Sequence, residues 1–130
     1  MKFQQFSKLS KFYLIGASGL FFNYVVSFLL KDLGMWYLYS NIGGIIFSMH
    51  TNFLLNKIWT FKDHRFSVKI TIIQYIKFIG FSSISAMIQV ILVYFFVEYH
   101  NVYFSISLLI SVLLSGFINF TLNKKITFKN

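Results

Sequence analysis

Four stretches of this chain are long and apolar enough to cross a bilayer: roughly Phe12–Leu30, Trp36–Leu55, Phe78–Val97 and Tyr103–Leu122. A spanning helix needs about 20 mostly apolar residues. None of the four has a charged residue in its interior, and the absence of proline leaves no kink written into them. Aromatic residues gather near the edges, among them Trp36, Tyr39, Trp59, Tyr75, Tyr99 and Tyr103, as expected for a belt at headgroup depth. Only 12% of the 130 residues are charged, about half the share of a soluble domain. That leaves too little polar surface for a water-soluble particle of this size. The expected class is an all-α membrane protein of four transmembrane helices.

The charges predict the topology. Lys2, Lys8 and Lys11 precede span one; Lys57, Lys62, Arg65, Lys69 and Lys77 lie between spans two and three; Lys124, Lys125 and Lys129 follow span four. The other side has Lys31 alone, with Asp32 and Glu98. Cytoplasmic loops carry the Lys/Arg excess, so both termini and the middle loop are expected in the cytoplasm. The net charge of +9 reads as attraction to anionic headgroups rather than nucleic acid binding, because the bases flank lipid at helix ends. A cleaved signal peptide fits poorly, since the first apolar run is of span length and three more follow. The basic, apolar stretch from Arg65 to Phe78 is expected in the inner interface before span three.

The second half of the chain repeats the first. Residues 52–62 read NFLLNKIWTFK and residues 119–129 read NFTLNKKITFK, at an offset of 67. Upstream the offset is 66: Lys11-Phe12 falls on Lys77-Phe78, Asn23 on Gln89 and Asp32 on Glu98. The chain is expected to be one domain over 1–130, with repeat one at about 8–64 and repeat two at about 74–130. Each repeat is a hairpin of two spans. An even number of spans gives both the same orientation, making them parallel-repeat helical hairpins related about the membrane normal.

Polar and small residues recur four apart in spans two and four: Gly44, Ser48, Asn52 and Asn56, then Ser111, Ser115, Asn119 and Asn123. Such spacing lies along one helical face. Gly16, Gly19, Asn23 and Ser27 mark span one, and Ser82, Ser85 and Gln89 mark span three. For Gly16, Gly19, Gly44, Ser82 and Ser85, close helix packing is sufficient explanation. The amides are different, because they cost free energy in hydrocarbon unless paired. Asn56 and Asn123 are each followed by a lysine, Lys57 and Lys124, and Lys11 and Lys77 come at the same level from spans one and three. Amide donors beside lysine point charges suit a phosphate at headgroup depth. The lipid-phosphate candidates are therefore Asn52, Asn56, Lys57, Asn119, Asn123, Lys124, Lys11 and Lys77, converging around the pseudo-two-fold axis. Asn23, Ser48, Gln89 and Ser115 are candidates for a polar translocation seam.

Catalysis is not expected. The chain has three carboxylates, Asp32, Asp63 and Glu98, and no cysteine. His50, His64 and His100 fall on different elements, so no metal site is expected. There is no phosphate-binding glycine loop, and no cofactor is expected. His50, inside span two, reads as a hydrogen-bonded helix contact; its repeat equivalent is Phe117.

The residues at Lys11, Phe12 and Gly16, and the run from Asn52 to Phe61 with its weaker copy from Asn119 to Phe128, resemble the GtrA-like family of small four-span membrane proteins. The resemblance covers nearly the whole chain. It implies translocation of a polyprenyl-phosphate-linked sugar from the cytoplasmic to the outer leaflet, where a separate glycosyltransferase uses it on a cell-surface polysaccharide such as O-antigen or teichoic acid. Carried over by motif, the lipid-phosphate residues are Asn52, Asn56, Lys57, Asn119, Asn123 and Lys124. Family members often carry an acid near Asn23 and an arginine at Lys11; the amide and lysine here weaken the case for proton coupling and for a bidentate phosphate grip. The partners implied are the lipid-linked sugar, membrane lipid and a membrane glycosyltransferase, with a homo-oligomer plausible for so small a bundle. The alternative is a membrane adaptor that anchors a glycosyltransferase without moving lipid. A multidrug exporter ranks lower, since no span holds a carboxylate for proton exchange.

Overall fold

The computed structural model describes residues 1–129, and the side chain of Tyr37 lies outside the description with Asn130. All its regular structure is helical. Helix α1 runs Lys2–Asp32 and α2 Tyr37–Leu55, the latter continuing into a π-helical turn at Asn56–Thr60. Helix α3 runs Val68–His100 and α4 Phe104–Leu122, followed by a second π turn at Asn123–Thr127. The chain divides into two compact units, at residue 64, each a helical hairpin.

Three segments, α1, α3 and α4 with its π turn, are long and apolar enough to cross a membrane. Helix α2 is diluted by Ser40, Asn41, Gly43, Gly44, Ser48, His50, Thr51 and Asn52. Two helices start well before their expected spans. Helix α1 begins ten residues earlier than Phe12, and α3 begins at Val68. Most of the Arg65–Phe78 stretch is thus the first turns of α3 rather than a separate interfacial element. No proline or glycine lies between Val68 and Phe78 to end a helix there.

The two hairpin tips are built alike. Helix α1 closes on Gly34 at φ +96°, with Gly34 N–H bonded to the Lys31 carbonyl and Met35 N–H to the Leu30 carbonyl, the bond pair of a Schellman motif. In the second hairpin the left-handed residue is Asn101 at φ +51°, a residue type that tolerates that region. Each second helix then opens on an aromatic residue, Trp36 or Tyr103. A serine one turn on, Ser40 or Ser107, is fully buried and turns its hydroxyl back onto the preceding backbone.

Burial runs opposite to that of a soluble domain. Buried polar residues include Ser40, Gln74, Ser85, Ser107, Ser111 and Ser115, while Leu20, Phe21, Tyr24, Met87, Val90 and Ile91 stand exposed. In water such an apolar surface would be an aggregation liability. In hydrocarbon it is the solvated face, and the polar groups turn inward to find partners.

Candidate functional site

The asparagine-lysine corners are geometric copies of one another. In the first hairpin, Asn56 Nδ2 donates to the Asn52 carbonyl at 2.8 Å, and Thr60 Oγ1 donates to Asn56 Oδ1 at 2.9 Å. In the second, Asn123 Nδ2 donates to the Asn119 carbonyl at 2.9 Å, and Thr127 Oγ1 donates to Asn123 Oδ1 at 2.8 Å. Asn123 Nδ2 also reaches Asn119 Oδ1 at 2.7 Å. The phenylalanine after each threonine packs edge-on against the first helix of its hairpin, Phe61 on Phe12 and Phe128 on Phe78, both with ring centroids 6.4 Å apart. A π turn widens the backbone ring by one residue and frees carbonyls that side chains must satisfy. Asn56 and Asn123, both buried, act as buckles across that widened turn. Each asparagine thus bonds within the turn through both its amide nitrogen and its amide oxygen.

The basic residues of the two corners differ. Lys57 is fully buried, with its Nζ 3.5 Å from Asp63 Oδ1, itself fully shielded. Lys11 lies 5.2 Å from the Trp59 ring centroid, a cation–π distance. Lys124 is half-buried, while Lys125 and Lys77 are exposed. None of these last three makes an ion pair among the described residues. The pairing of Asp63 with Lys57 was not expected from the sequence; the signal for it is the spacing of six across a turn that brings the Asp63 N–H to the Lys57 carbonyl at 2.8 Å.

The candidate seam residues fall into two local sets. In the first hairpin Ser27 Oγ donates to Asn23 Oδ1 at 3.1 Å, and both groups crowd Gly44 so closely that a Cβ there would overlap them. The Asn52 side chain lies over Gly19, and its Oδ1 is buried without a partner among the described residues. Ser48 is half-buried, with its carbonyl taken by Thr51 Oγ1. Gly16 is exposed with open space around it, so it is not the packing position it was expected to be. In the second hairpin Asn119 Nδ2 donates to Ser82 Oγ at 3.4 Å, and Ser115 Oγ turns to the Val112 carbonyl. One turn from Ser82 along the same face is Ser85; two turns from Asn119 is Ser111. Both hydroxyls are buried and lack a hydrogen-bond partner among the described residues. Gln89 lines a groove of about 400 Å³ along with Tyr94, Glu98 and Phe104. His50 donates from Nδ1 to the Ile46 carbonyl of its own helix at 2.7 Å.

One comparison covers both hairpins: the GtrA/DPMS transmembrane domain matches residues 11–128. The chain belongs to this GtrA/DPMS family. A curated relative, the dolichol-phosphate mannosyltransferase of Pyrococcus furiosus, is 26% identical over 124 residues, which is 95% of this chain. The chain spans 34% of that protein's length. Family membership makes this GtrA/DPMS chain a multi-pass membrane protein.

Proposed function

We propose that this protein translocates a polyprenyl-phosphate-linked monosaccharide across the bacterial cytoplasmic membrane for glycosylation of a cell-surface polysaccharide, without catalysis of its own. In this reading all four helices span, and both termini and the middle loop face the cytoplasm, following the eleven basic residues on that side. The two hairpins are parallel repeats.

The observation that carries the reading is the set of buried polar groups with no hydrogen-bond partner among the described residues: Asn52 Oδ1, Ser85 Oγ and Ser111 Oγ, with Thr71 Oγ1 in the first turn of α3. An unpaired buried polar group costs about 1–3 kcal/mol. A sugar head bears many hydroxyls, each costly to move through hydrocarbon unpaired. Polar groups left open along the helices lower that barrier while the isoprenoid tail stays in lipid. The chain has no nucleotide-binding loop, so the movement runs downhill, drawn by consumption of the sugar outside. The test is reconstitution into liposomes with a labelled polyprenyl-phosphate sugar. Movement faster than in protein-free vesicles is expected, and equal rates would refute the reading.

A second reading is favoured by one fact: the curated relative is a transferase nearly three times the length of the matched region. As an adaptor, the chain would anchor a separate glycosyltransferase. That reading expects a transferase to co-purify with the chain and expects pure proteoliposomes to show no lipid movement.

A further inference from the structure

The two corners share one backbone but not one charge state. In the first hairpin, Lys57 and Asp63 form a fully shielded pair, so the buried lysine adds no net charge to its corner. Handing Lys57 to an external anion would break that ion pair in a site closed to water, a large penalty. Lys11 is held over Trp59. In the second hairpin each of these restraints is missing. The residue equivalent to Asp63 is Asn130, and the residue equivalent to Trp59 is Ile126. An extra base, Lys125, replaces Ile58. The one acidic side chain of this hairpin, Glu98, lies toward the far end of α3 from Lys77.

Both corners sit at the C-terminal end of a helix, where the helix dipole repels an anion. A corner whose buried lysine is already neutralised draws a phosphate less strongly than one whose lysines are not. A corner carrying two or three unpaired ammonium groups can attract one, because lysine offers a compact charge with three donors. Phe128, four residues beyond Lys124, packs on Phe78 beside Lys77, which brings the three bases to the same end of the hairpin.

We propose that the phosphate of the lipid-linked sugar is held by the second hairpin alone, on Lys124 with Lys125 and Lys77, while the Lys57–Asp63 corner is a closed structural copy. This rests on the lipid-phosphate reading above and assigns it to one half of the duplication.

The experiment measures binding of a farnesyl-phosphoryl sugar to the full-length protein in detergent, with inorganic phosphate as a competing arm. Lys124→Gln with Lys125→Gln is expected to weaken binding about tenfold or more, the loss of one or more charge-assisted contacts. Lys57→Met with Asp63→Leu removes the first corner's charges as a matched pair, and Lys2→Gln with Lys8→Gln removes the same formal charge as the first variant from the N-terminal end of α1. Both are expected to stay within about twofold of the parent, since neither touches the phosphate contact. Should the Lys57→Met/Asp63→Leu protein fail to fold, Lys11→Gln serves as the first-hairpin probe with the same expectation. Equal weakening from either hairpin, or none from Lys124→Gln/Lys125→Gln, overturns the assignment while leaving the lipid-phosphate reading intact. Displacement by inorganic phosphate as effective as by the farnesyl compound overturns a lipid-specific site. A parent protein that binds no farnesyl-phosphoryl sugar overturns both.

Discussion

The first and second hairpins use the same sequence grammar for different ends. Each closes with a buried Asn–Thr buckle and a phenylalanine pair at 6.4 Å. Around that constant, the first hairpin fills its interior: Gly44 admits the Asn23–Ser27 pair, and Lys57 is neutralised by Asp63. The second has serine at two positions where the first has glycine, Ser85 for Gly19 and Ser111 for Gly44. Those hydroxyls bond to nothing among the described residues. Duplication thus supplies the scaffold twice, and divergence changes which buried polar groups each copy leaves without a partner among the described residues, Asn52 Oδ1 in the first and the two serine hydroxyls in the second.

The comparison breaks most visibly at the ion pair. Asp63→Asn removes the carboxylate of a buried ion pair, and is expected to cost about 3–5 kcal/mol. Thermal unfolding in detergent reads this, with Lys57→Met/Asp63→Leu recovering most of the loss. Lys124→Met, at the equivalent position, is expected to stay within about 1 kcal/mol, because that lysine has no buried partner to strand. Comparable losses at 57 and 124 would erase the claimed asymmetry.

The buckles should respond equally. Asn56→Ala and Asn123→Ala each remove a bond to the backbone and orphan a buried threonine hydroxyl, for about 1–3 kcal/mol apiece. A loss in only one hairpin would show that the repeats are not structural equivalents. Gly44→Ala drives a Cβ to 2.5 Å from the Asn23 carbonyl oxygen, a backbone atom that cannot swing aside. An overpacking cost of about 1–3 kcal/mol follows. Gly16→Ala meets nothing within 4 Å, so its effect should be within about 0.5 kcal/mol. The smallest stability effect belongs to Ser85→Ala with Ser111→Ala. Deleting hydroxyls that make no bond in the resting protein should leave the melting temperature unchanged or slightly raised.

Much of the fold was legible. The second and fourth spans were expected at Trp36–Leu55 and Tyr103–Leu122, and the helices run Tyr37–Leu55 and Phe104–Leu122. Their ends are marked by Gly34, Asn101 and the asparagines that open the π turns. The early starts of α1 and α3 were not legible, because hydropathy marks where lipid begins and not where a helix does. Asn56, Asn123 and their lysines stood out by repetition, but repetition is equally the mark of a structural device. That the amides are consumed by Thr60 and Thr127 depends on the π turn, whose one-residue widening leaves no signature in apolar periodicity. Ser40 and Ser107, an exact repeat pair at offset 67, could have been found by extending the alignment through the hairpin tips. The Lys57–Asp63 pair was not legible, because burial of a charge is decided by tertiary packing.

The account stands on open hydroxyls inside a hydrocarbon-facing hairpin serving a passing headgroup. The direct measurement is the rate at which a labelled polyprenyl-phosphate sugar crosses proteoliposomes containing the parent chain or its Ser85→Ala/Ser111→Ala variant, at matched folding and protein density. A variant as stable as the parent yet slower by about tenfold, the equivalent of some 1.4 kcal/mol in barrier, is the predicted result. An unchanged rate in a folded variant would contradict it.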